Sequence, residues 1–223
     1  MNKSLPFTYN PPANTGLDIL YQDEDLLLIN KPAGLLSVPG RGEDKQDCLI
    51  QRVQAELPDA RVVHRLDMET SGVMVMALNA EVHRQLSMLF EQRKVQKRYI
   101  AVVGGQVKDE SGLIDLPLIT DWPNRPKQII DHEQGKPSRT RFRVISLDHD
   151  QSTTRVELIP ETGRSHQIRV HLQSMGHAIL GDRLYASDEV RDKSPRLLLH
   201  STFISFCHPV NDDNTSIESE APF

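Results

Sequence analysis

Residues 61–78 read RVVHRLDMETSGVMVMAL, and this stretch guides the interpretation of the whole chain. Two apolar runs flank a polar segment that ends in the turn-forming residues Thr70-Ser71-Gly72. Short apolar runs bounded by turn residues are typical of buried strands. The pattern therefore predicts two core strands with Asp67 on the loop between them. A rigid scaffold often holds a catalytic carboxylate on such a loop; the alternative is that Asp67 only caps a turn.

The composition is that of a globular protein. The 223 residues are 38% hydrophobic and 26% charged, which suits one large domain or two small ones. No apolar run approaches the roughly 18 residues that span a bilayer, and the N-terminus lacks the apolar segment of a secretory signal. Cys48 and Cys207 are far apart, which fits a reducing cytosol. We therefore expect a cytoplasmic protein without membrane association.

The net charge of −5 argues at first against a nucleic-acid partner. Residues 197–223, however, contain four acidic residues and no Lys or Arg, so they carry −4 of this charge. Cations cluster in the remainder, at 93–98 and in a second group. The second group comprises Arg125, Lys127, Lys136, Arg139, Arg141 and Arg143. A local basic face binds phosphate whatever the total charge, although solvated surface positions are the alternative for either cluster.

Hydrophobic spacing and turn residues predict an α+β fold with a mixed, mostly antiparallel central sheet and flanking helices. The predicted elements are a β-hairpin over 17–30, helices over 48–57, 80–93 and 166–175 with N-caps at Asp47, Asn79 and Ser165, strands over 98–104, 140–145, 155–159, 197–199 and 202–206, and an insertion of loops and short strands over 112–138. Gly176 should end the last helix. Residues 1–16 are rich in proline and asparagine and predict an extended, weakly ordered arm, and residues 211–223 form an acidic tail.

Several nucleotide-binding, hydrolase and zinc-binding motifs are absent from the sequence. The chain contains no phosphate-binding P-loop, no dinucleotide-binding glycine pattern and no hydrolase serine elbow. Two isolated cysteines exclude a Cys-x-x-Cys zinc site, and no pair of histidines has metal-binding helical spacing beside a glutamate. We therefore expect no metal and no nucleotide cofactor.

Three polar segments interrupt otherwise apolar structure, at 64–72, 97–102 and 162–171. Their chemistry is complementary. Asp67 could act as a nucleophile or base, and Arg169 could pair with it and hold it ionised. Tyr99 could stack on a base or move a proton.

Each of these residues also has a purely structural interpretation. Tyr99 could be a core aromatic and Arg169 a surface ion pair. Arg164 and His166 lie near a predicted helix N-terminus, where they could receive phosphate, but His166 could equally be a polar residue of the first turn.

Taken together, the segments resemble the RluA-type pseudouridine synthases, in order over about residues 17–210. The matching motifs are Asn30-Lys31-Pro32-Ala33-Gly34-Leu35, His64-Arg65-Leu66-Asp67 with Thr70-Ser71-Gly72, Lys97-Arg98-Tyr99-Ile100-Ala101-Val102, Thr162-Gly163-Arg164-Ser165-His166-Gln167-Ile168-Arg169-Val170-His171, Gly181-Asp182-Arg183-Leu184-Tyr185 and Leu197-Leu198-Leu199-His200. The segment 121–128, DWPNRPKQ, is similar to family members that act on both 23S rRNA and the tRNA anticodon stem-loop.

The resemblance implies isomerisation of uridine to pseudouridine within RNA, without metal or cofactor. By it, Asp67 is the catalytic aspartate, Tyr99 the active-site tyrosine and Arg169 the ion-pair partner of Asp67. Arg65 would fill the space left when the target uridine flips out of the RNA. We count His64, Lys97, Arg164 and His166 as further RNA-binding residues of these motifs.

The resemblance also bears on domain organisation. Many relatives carry an N-terminal S4-type RNA-binding domain, which the sixteen residues before the first predicted strand are too few to form. We expect a monomer, because no exposed apolar stripe stands out.

Two other functions remain open on the residues alone. One is a non-catalytic RNA-binding or ribosome-assembly module that uses the same basic face. The other is a glycoside hydrolase with the carboxylate pair Asp67 and Glu69, which the aromatic content of 5% does not favour, because sugar-binding sites use aromatic platforms.

Overall fold

The structure is a computed structural model that describes residues 8–223. Its strands are β1 (Ile19–Gln22), β2 (Leu26–Lys31), β3 (Arg61–Val62), β4 (Ser71–Ala77), β5 (Gln96–Gly104), β6 (Ser111–Asp115), β7 (Leu118–Thr120), β8 (Gln128–Ile130), β9 (Arg139–Asp148), β10 (Thr153–Pro160), β11 (Leu199–Cys207) and β12 (Asn214–Glu218). Its α-helices are α1 (Leu49–Gln54), α2 (Ala80–Glu91), α3 (Gln167–Ser174) and α4 (Asp188–Arg191). No helix within residues 8–223 is long and apolar enough to cross a membrane.

Ten strands form one sheet in the order β1-β2-β4-β11-β5-β10-β9-β6, with β3 paired to β4 and β12 paired to β11. The pair β4–β11 is parallel, and the other pairs of this sheet are antiparallel. Strands β7 and β8 form a separate two-stranded sheet within the predicted insertion. The predicted α+β fold with a mixed, mostly antiparallel sheet is confirmed.

The central sheet is buried on both faces at β4. Successive side chains of a strand point to opposite faces. Met74 and Met76 accordingly pack in the core cluster that contains residues of α1 and α3, whereas Val73 and Val75 pack in a second cluster with residues of α2. The sheet is thus covered by helices on both sides, and the end of β4 nearest Asp67 is fixed by two cores.

The predicted helix starts have different outcomes. Asn79 caps α2 as predicted, because its side chain accepts a 2.9 Å hydrogen bond from the backbone N–H of Val82. The prediction for Asp47 was wrong, since α1 begins after Cys48 without a side-chain cap. The Asp47 carboxylate instead accepts two hydrogen bonds from Arg52, at 2.8 and 2.7 Å.

Ser165 does not cap α3. The residue before this helix is His166, in the left-handed region at φ 54°, and the helix runs over Gln167–Ser174. The buried amide oxygen of Gln167 accepts hydrogen bonds from the Thr162 hydroxyl at 2.7 Å and the Arg164 backbone N–H at 3.0 Å, and so holds the preceding loop. Gly176, with φ 82°, follows the last helical residues as predicted.

The N-terminal arm lies partly outside the described residues, since 1–7 are not among them. For residues 8–16 the expectation of weak order was wrong. Tyr9 is buried, and its hydroxyl donates to the carbonyl of Asp47 at 2.8 Å and accepts from the N–H of Leu36 at 3.0 Å. Arg52 donates to the carbonyl of Pro12 at 2.7 Å. These contacts fix the segment against the loop before α1.

Residues 211–223 are not separate from the sheet, and the assignment of a distinct acidic tail needs correction. Strand β12 pairs with β11 from Phe203↔Glu218 to Cys207↔Asn214. Glu218, the acidic residue of β12, accepts a hydrogen bond from Arg98 on β5. The acidic segment therefore completes the sheet and neutralises a neighbouring cation.

The parallel pairing of β4 with β11 depends on a close approach at Gly72. This residue has φ 112°, and a Cβ placed on it would overlap the backbone of Ser201, lying 2.6 Å from its nitrogen. Only glycine adopts this positive φ without strain and also leaves room for the backbone of Ser201.

We expect Gly72→Ala to lower the free energy of unfolding by about 3 kcal/mol, from left-handed strain plus overpacking. Gly176→Ala is the matched control: it has φ 82° but open space around the added carbon, so it should lose only about 1 kcal/mol. Urea unfolding measures both. Equal losses in the two variants would contradict the close approach.

Candidate active site

Asp67 lies on the loop between β3 and β4, as predicted, and faces a cleft of about 1180 Å³. The cleft contains residues from all three polar segments of the sequence. The predicted site residues that line it are His64, Arg65, Asp67, Lys97, Tyr99, Arg164, His166 and Arg169. Residues far apart in the chain therefore converge on one concave surface, which is the usual form of a ligand site.

An ion triad lies at the floor of this cleft. The guanidinium of Arg169, which is buried on α3, donates two hydrogen bonds to Asp182, at 2.8 and 2.7 Å. The same guanidinium donates a single, longer hydrogen bond of 3.3 Å to Asp67. The predicted pairing of Arg169 with Asp67 is present in the structure. The sequence did not single out Asp182 as the stronger partner.

The two carboxylates of the triad differ in their surroundings. Asp182 is 1% exposed, whereas the side chain of Asp67 is 26% exposed and open to the cleft. Burial tends to raise the pKa of Asp182, but Arg169 and the backbone N–H groups of Leu184 and Tyr185 outweigh burial and hold the pKa below its ordinary value. Asp182 is a fixed counter-ion, and Asp67 is the accessible carboxylate.

The side chain of Lys31 fixes the loop that carries Asp67. This side chain is fully buried, and its ammonium donates to the carbonyls of Pro32 and Leu35, each at 2.8 Å, and of Met68 at 3.0 Å. Burial lowers the pKa of Lys31 to about 7, while the charge of Asp67 opposes this shift. Because Met68 follows Asp67 directly, the buried lysine limits movement of the loop that carries Asp67.

A second set of contacts reaches Asp67 from the side. The Nε2 atom of His166 lies 3.9 Å from the Asp67 carboxylate, and its Nδ1 atom lies 2.7 Å from the hydroxyl of Tyr185. That hydroxyl accepts the backbone N–H of Gln128 at 2.8 Å. We assign the hydroxyl proton to the bond with Nδ1, so that the neutral ring presents Nε2–H to Asp67.

The neutral form of His166 agrees with its surroundings. Burial lowers the pKa of His166 below its ordinary value, although the negative charge of Asp67 opposes the shift. His166 is therefore a hydrogen-bond donor beside the carboxylate rather than a second cation. Its left-handed backbone conformation, which non-glycine residues seldom adopt, aims the ring into the cleft.

Tyr99 lies on β5 with Ala101 and Val103 in the same core cluster, which agrees with the predicted shared face. Its side chain is largely buried but still lines the cleft. Burial raises the pKa of Tyr99 to about 12, and the charge of Asp67 acts in the same direction. The phenol is therefore protonated at neutral pH.

His64 has a structural task. Its ring stacks on Phe90 with the centroids 4.6 Å apart, and its Nε2 accepts the backbone N–H of Val75 at 3.1 Å. Burial, together with the charge of Lys97, lowers the pKa of His64 to about 3. The neutral ring thus anchors the loop to β4. A contact with RNA stays a prediction.

The cleft is strongly basic although the chain is acidic. Besides Arg169, which is paired in the triad, seven cations line it: Arg41, Lys45, Arg65, Lys97, Arg125, Arg164 and Arg183. Within residues 8–223 none of them forms a salt bridge. The acidic residues of the lining are Asp67 and Glu69. This excess positive charge favours a polyanionic ligand.

The second predicted basic cluster must be divided. Arg125 lines the cleft, but the three arginines of β9 are neutralised on another part of the sheet. Arg139 pairs with Asp115 and Glu161, Arg141 with Glu161, and Arg143 with Glu157. These three do not supply the expected free basic face, because acidic side chains on neighbouring strands lie beside them.

One cluster with metal-like spacing occurs among the described residues, and it lies outside the cleft. It consists of Asp23, Asp25 and His208. Asp23 accepts backbone hydrogen bonds from Asp25 and Leu26 and further ones from Tyr21 and His208. These bonds account for Asp23 as the cap of the β1–β2 turn, and we assign no metal there.

The triad generates a prediction for Asp182→Asn. Because the variant leaves a buried arginine with one weaker partner, we expect the free energy of unfolding at neutral pH to fall by about 3 kcal/mol. The ionised Asp182 stabilises the fold above the ordinary carboxyl pKa of 3.8, and this contribution is lost as the pH falls below that value. The difference between wild type and variant should therefore shrink in acid.

Urea unfolding at neutral and acidic pH measures this difference. Asp188→Asn is the control, since Asp188 pairs with Arg191 in an exposed Arg–Asp bridge and its loss should have no measurable effect. A variant at position 182 as stable as wild type at neutral pH would show that the triad does not hold the site.

This chain is similar to known proteins in sequence and in fold. The family model described as RNA pseudouridylate synthase matches residues 25–174. The chain is 50% identical over 215 residues to the dual-specificity RNA pseudouridine synthase RluA of Escherichia coli (strain K12), covering 96% of this chain and 98% of that protein. It is also 50% identical to the protein of the same name from Vibrio parahaemolyticus serotype O3:K6, covering 90% and 82%.

Solved structures agree with the sequence relatives. Human RNA pseudouridylate synthase domain containing 1 superposes with a TM-score of 0.79 and 28% identity, covering 96% of this chain and 87% of that one. Human RNA pseudouridylate synthase domain containing 4 gives 0.72 and 26%, covering 92% and 88%. The family match spans most of the sheet and both elements that carry Asp67 and Arg169, so this chain belongs to the RNA pseudouridylate synthase family.

Proposed function

We propose that this chain converts uridine to pseudouridine in two kinds of structured RNA, 23S rRNA and the anticodon stem-loop of tRNA. Family membership supports the reaction, and the name of the half-identical relatives supports dual specificity. The observation that carries the proposal is the accessible carboxylate of Asp67, held by Arg169 at the floor of a cleft lined with unpaired cations.

The reaction exchanges one bond to the ribose for another. The bond from C1′ of the ribose to N1 of uracil breaks, the base rotates, and C1′ bonds to C5. C5 then loses its proton and N1 gains one, so product and substrate have the same composition. No net oxidation or hydrolysis occurs. Charge develops on the ribose as the first bond breaks, and a nearby carboxylate stabilises it. In our proposal Asp67 either attacks C1′ or removes a proton from C2′, and both routes use the carboxylate in its ionised form.

The other residues have supporting tasks in this proposal. The target uridine leaves its stack to reach Asp67, which costs a few kcal/mol and less in a loop. Arg65, exposed at the rim, fills the vacated space. Tyr99, protonated and at the cleft wall, packs against the uracil. Its hydroxyl and the Nε2–H of His166 supply hydrogen-bond donors near Asp67, and we expect no metal or cofactor.

Binding in this proposal rests on the backbone phosphates. Lys97 and Arg164 are among the cleft cations and were predicted as RNA-binding residues. Unpaired cations release counter-ions from RNA when they neutralise phosphates, and this release favours binding. We further propose that residues 17–210 together with β12 form the catalytic unit and that the protein acts as a monomer in the cytoplasm.

The first functional prediction concerns the catalytic carboxylate. Asp67→Asn keeps size and hydrogen bonding but removes the charge, so we expect loss of pseudouridine formation with RNA affinity largely retained. The assay follows tritium release from stem-loop RNA labelled at uracil C5, with a chelator present to test metal independence. Asp150→Asn, an exposed charge change on the β9–β10 turn, is the control and should keep full activity.

Activity in the Asp67→Asn variant would exclude Asp67 as the essential group. Tight RNA binding by wild type without tritium release, on both rRNA and tRNA stem-loops, would instead favour the non-catalytic RNA-binding module.

The second functional prediction separates the cleft cations from the paired arginines. Arg183→Gln should weaken stem-loop binding and reduce the slope of log affinity against log salt by about 1, because one phosphate contact is lost. Arg141→Gln removes the same charge from a side chain bridged to Glu161 outside the cleft and should change neither quantity. Filter binding across a salt series measures both. Equal effects of the two changes would mean that net charge alone, rather than the cleft, binds RNA.

A further inference from the structure

Trp122 is exposed at the edge of the cleft, where neither the reaction nor the phosphate contacts require it. It lies on the short loop between β7 and β8 and is 66% exposed, more than any other large hydrophobic side chain of residues 8–223. An exposed tryptophan loses favourable apolar burial unless a partner covers it. Within the described part of the chain its ring is contacted by the guanidinium of Arg125, 4.9 Å from the ring centre.

The backbone of the loop that carries this ring is held by local hydrogen bonds. The backbone N–H of Asp121 donates to the carbonyl of Lys127 at 2.9 Å, and Lys127 donates to Asn124 at 3.1 Å. The side chain of Asn124 donates to Asp121 at 2.9 Å. The loop is thus closed by local hydrogen bonds, and a ligand that stacks on the ring has little freedom of the loop backbone to remove.

The same loop is connected to the active site. The backbone N–H of Gln128, the first residue of β8, donates to the Tyr185 hydroxyl that contacts His166. Arg125, Pro126 and Gln128 line the cleft, whereas Trp122 lies beyond that lining. Arg125 therefore belongs to the cleft wall and also lies over the indole ring, which places the ring directly beside the cleft.

The charge around the ring indicates the chemistry of its partner. Arg125 and Lys127 lie on the same loop, and neither forms a salt bridge within residues 8–223. An aromatic face with unpaired cations beside it is the arrangement that binds unstacked nucleotides, because the ring stacks on the base and the cations bind its phosphates.

We propose that Trp122 is a stacking platform for an unpaired base of the RNA substrate, adjacent to the uridine that enters the cleft. This inference rests on the proposed function, since it takes the RNA of that reaction as the occupant. Stacking outside the catalytic cleft makes Trp122 a residue that selects the RNA loop. It strengthens binding of loops that present a free base at that distance, and it plays no part in the bond exchange at Asp67.

The test uses the fact that Trp122 is the only tryptophan of the chain. Its emission, excited at the red edge of the band where tyrosine does not absorb, reports on this one ring in the unmodified protein. Titration with an unlabelled anticodon stem-loop RNA should quench the emission, because a stacked base quenches indole. Free N-acetyltryptophanamide with the same RNA corrects for absorption by the RNA. Fluorescence anisotropy of a fluorescein-labelled copy of the RNA measures binding separately.

Variants provide the energetic part of the test. Trp122→Ala should weaken stem-loop binding roughly ten-fold and raise KM similarly, with kcat unchanged, because one stacked base is lost. Trp122→Phe should retain most of the affinity. Ile129→Ala, which changes an exposed apolar residue on the same hairpin outside the cleft lining, should have no effect.

The outcomes separate this inference from the proposed function. RNA that binds by anisotropy and is modified, with unchanged tryptophan emission, would overturn the platform and leave the function intact. Equal effects of Trp122→Ala and Ile129→Ala would also overturn it, because they would indicate damage to the hairpin. Absence of RNA binding by anisotropy would contradict the proposed function, and the platform with it.

Discussion

The division of one arginine between two carboxylates is the interaction on which the site depends. Arg169 gives two short hydrogen bonds to the buried Asp182 and one longer bond to Asp67. Asp182 prevents the guanidinium from turning, so Asp67 is held by a contact that fixes its direction but leaves an oxygen accessible. If Arg169 paired with Asp67 alone, both oxygens of the Asp67 carboxylate would bind the guanidinium, and Asp67 would be less available to a ribose. Because the triad contains two carboxylates and one guanidinium, it keeps a net negative charge in a basic cleft.

The distribution of charge reconciles an acidic protein with an acidic ligand. Apart from Arg169, the cations that face the cleft are unpaired, while several cations elsewhere on the sheet are bridged to acidic side chains, as with Arg141 and Glu161 or Arg98 and Glu218. Surface bridges of this kind contribute little to stability, but they cancel positive charge where RNA is not meant to bind. The same total charge spread evenly would not direct a polyanion to Asp67. Placement, rather than the net charge of −5, determines the partner.

The sequence predicted those parts of the fold that depend on local pattern. The strand–loop–strand around Asp67 and the Asn79 cap follow from periodicity and from a short side chain that reaches its own backbone. The cap assigned to Ser165 failed because the longer Gln167 side chain, buried under the loop, accepts the bonds instead. The residue types near Ser165 do not indicate that the Gln167 side chain is buried. Asp47 failed for a similar reason, since Arg52 competes for its carboxylate.

The missed site residues have a common cause. Asp182 and Tyr185 were part of a matched motif, but their partners Arg169 and His166 lie thirteen and nineteen positions away, and nothing in the spacing indicates that the segments pack together. The paired arginines of β9 were more accessible to prediction. Arg139, Arg141 and Arg143 alternate along one strand, and Glu157 and Glu161 occupy the next, so a hairpin register alone would have suggested their bridges. That the seven cleft cations have no salt bridge could not be predicted from the sequence, because it depends on how the whole sheet packs around the cleft.

The central claim is that RNA places a single uridine against Asp67 in this cleft. A crystal structure of the Asp67→Asn protein bound to an anticodon stem-loop tests it most directly. We predict one uridine out of its stack, with its ribose C1′ in contact with the side chain of residue 67, Arg169 still bonded to Asp182, and phosphates beside the cleft cations. RNA bound across the outer face of β9, or a uridine whose ribose is remote from residue 67, would contradict the account.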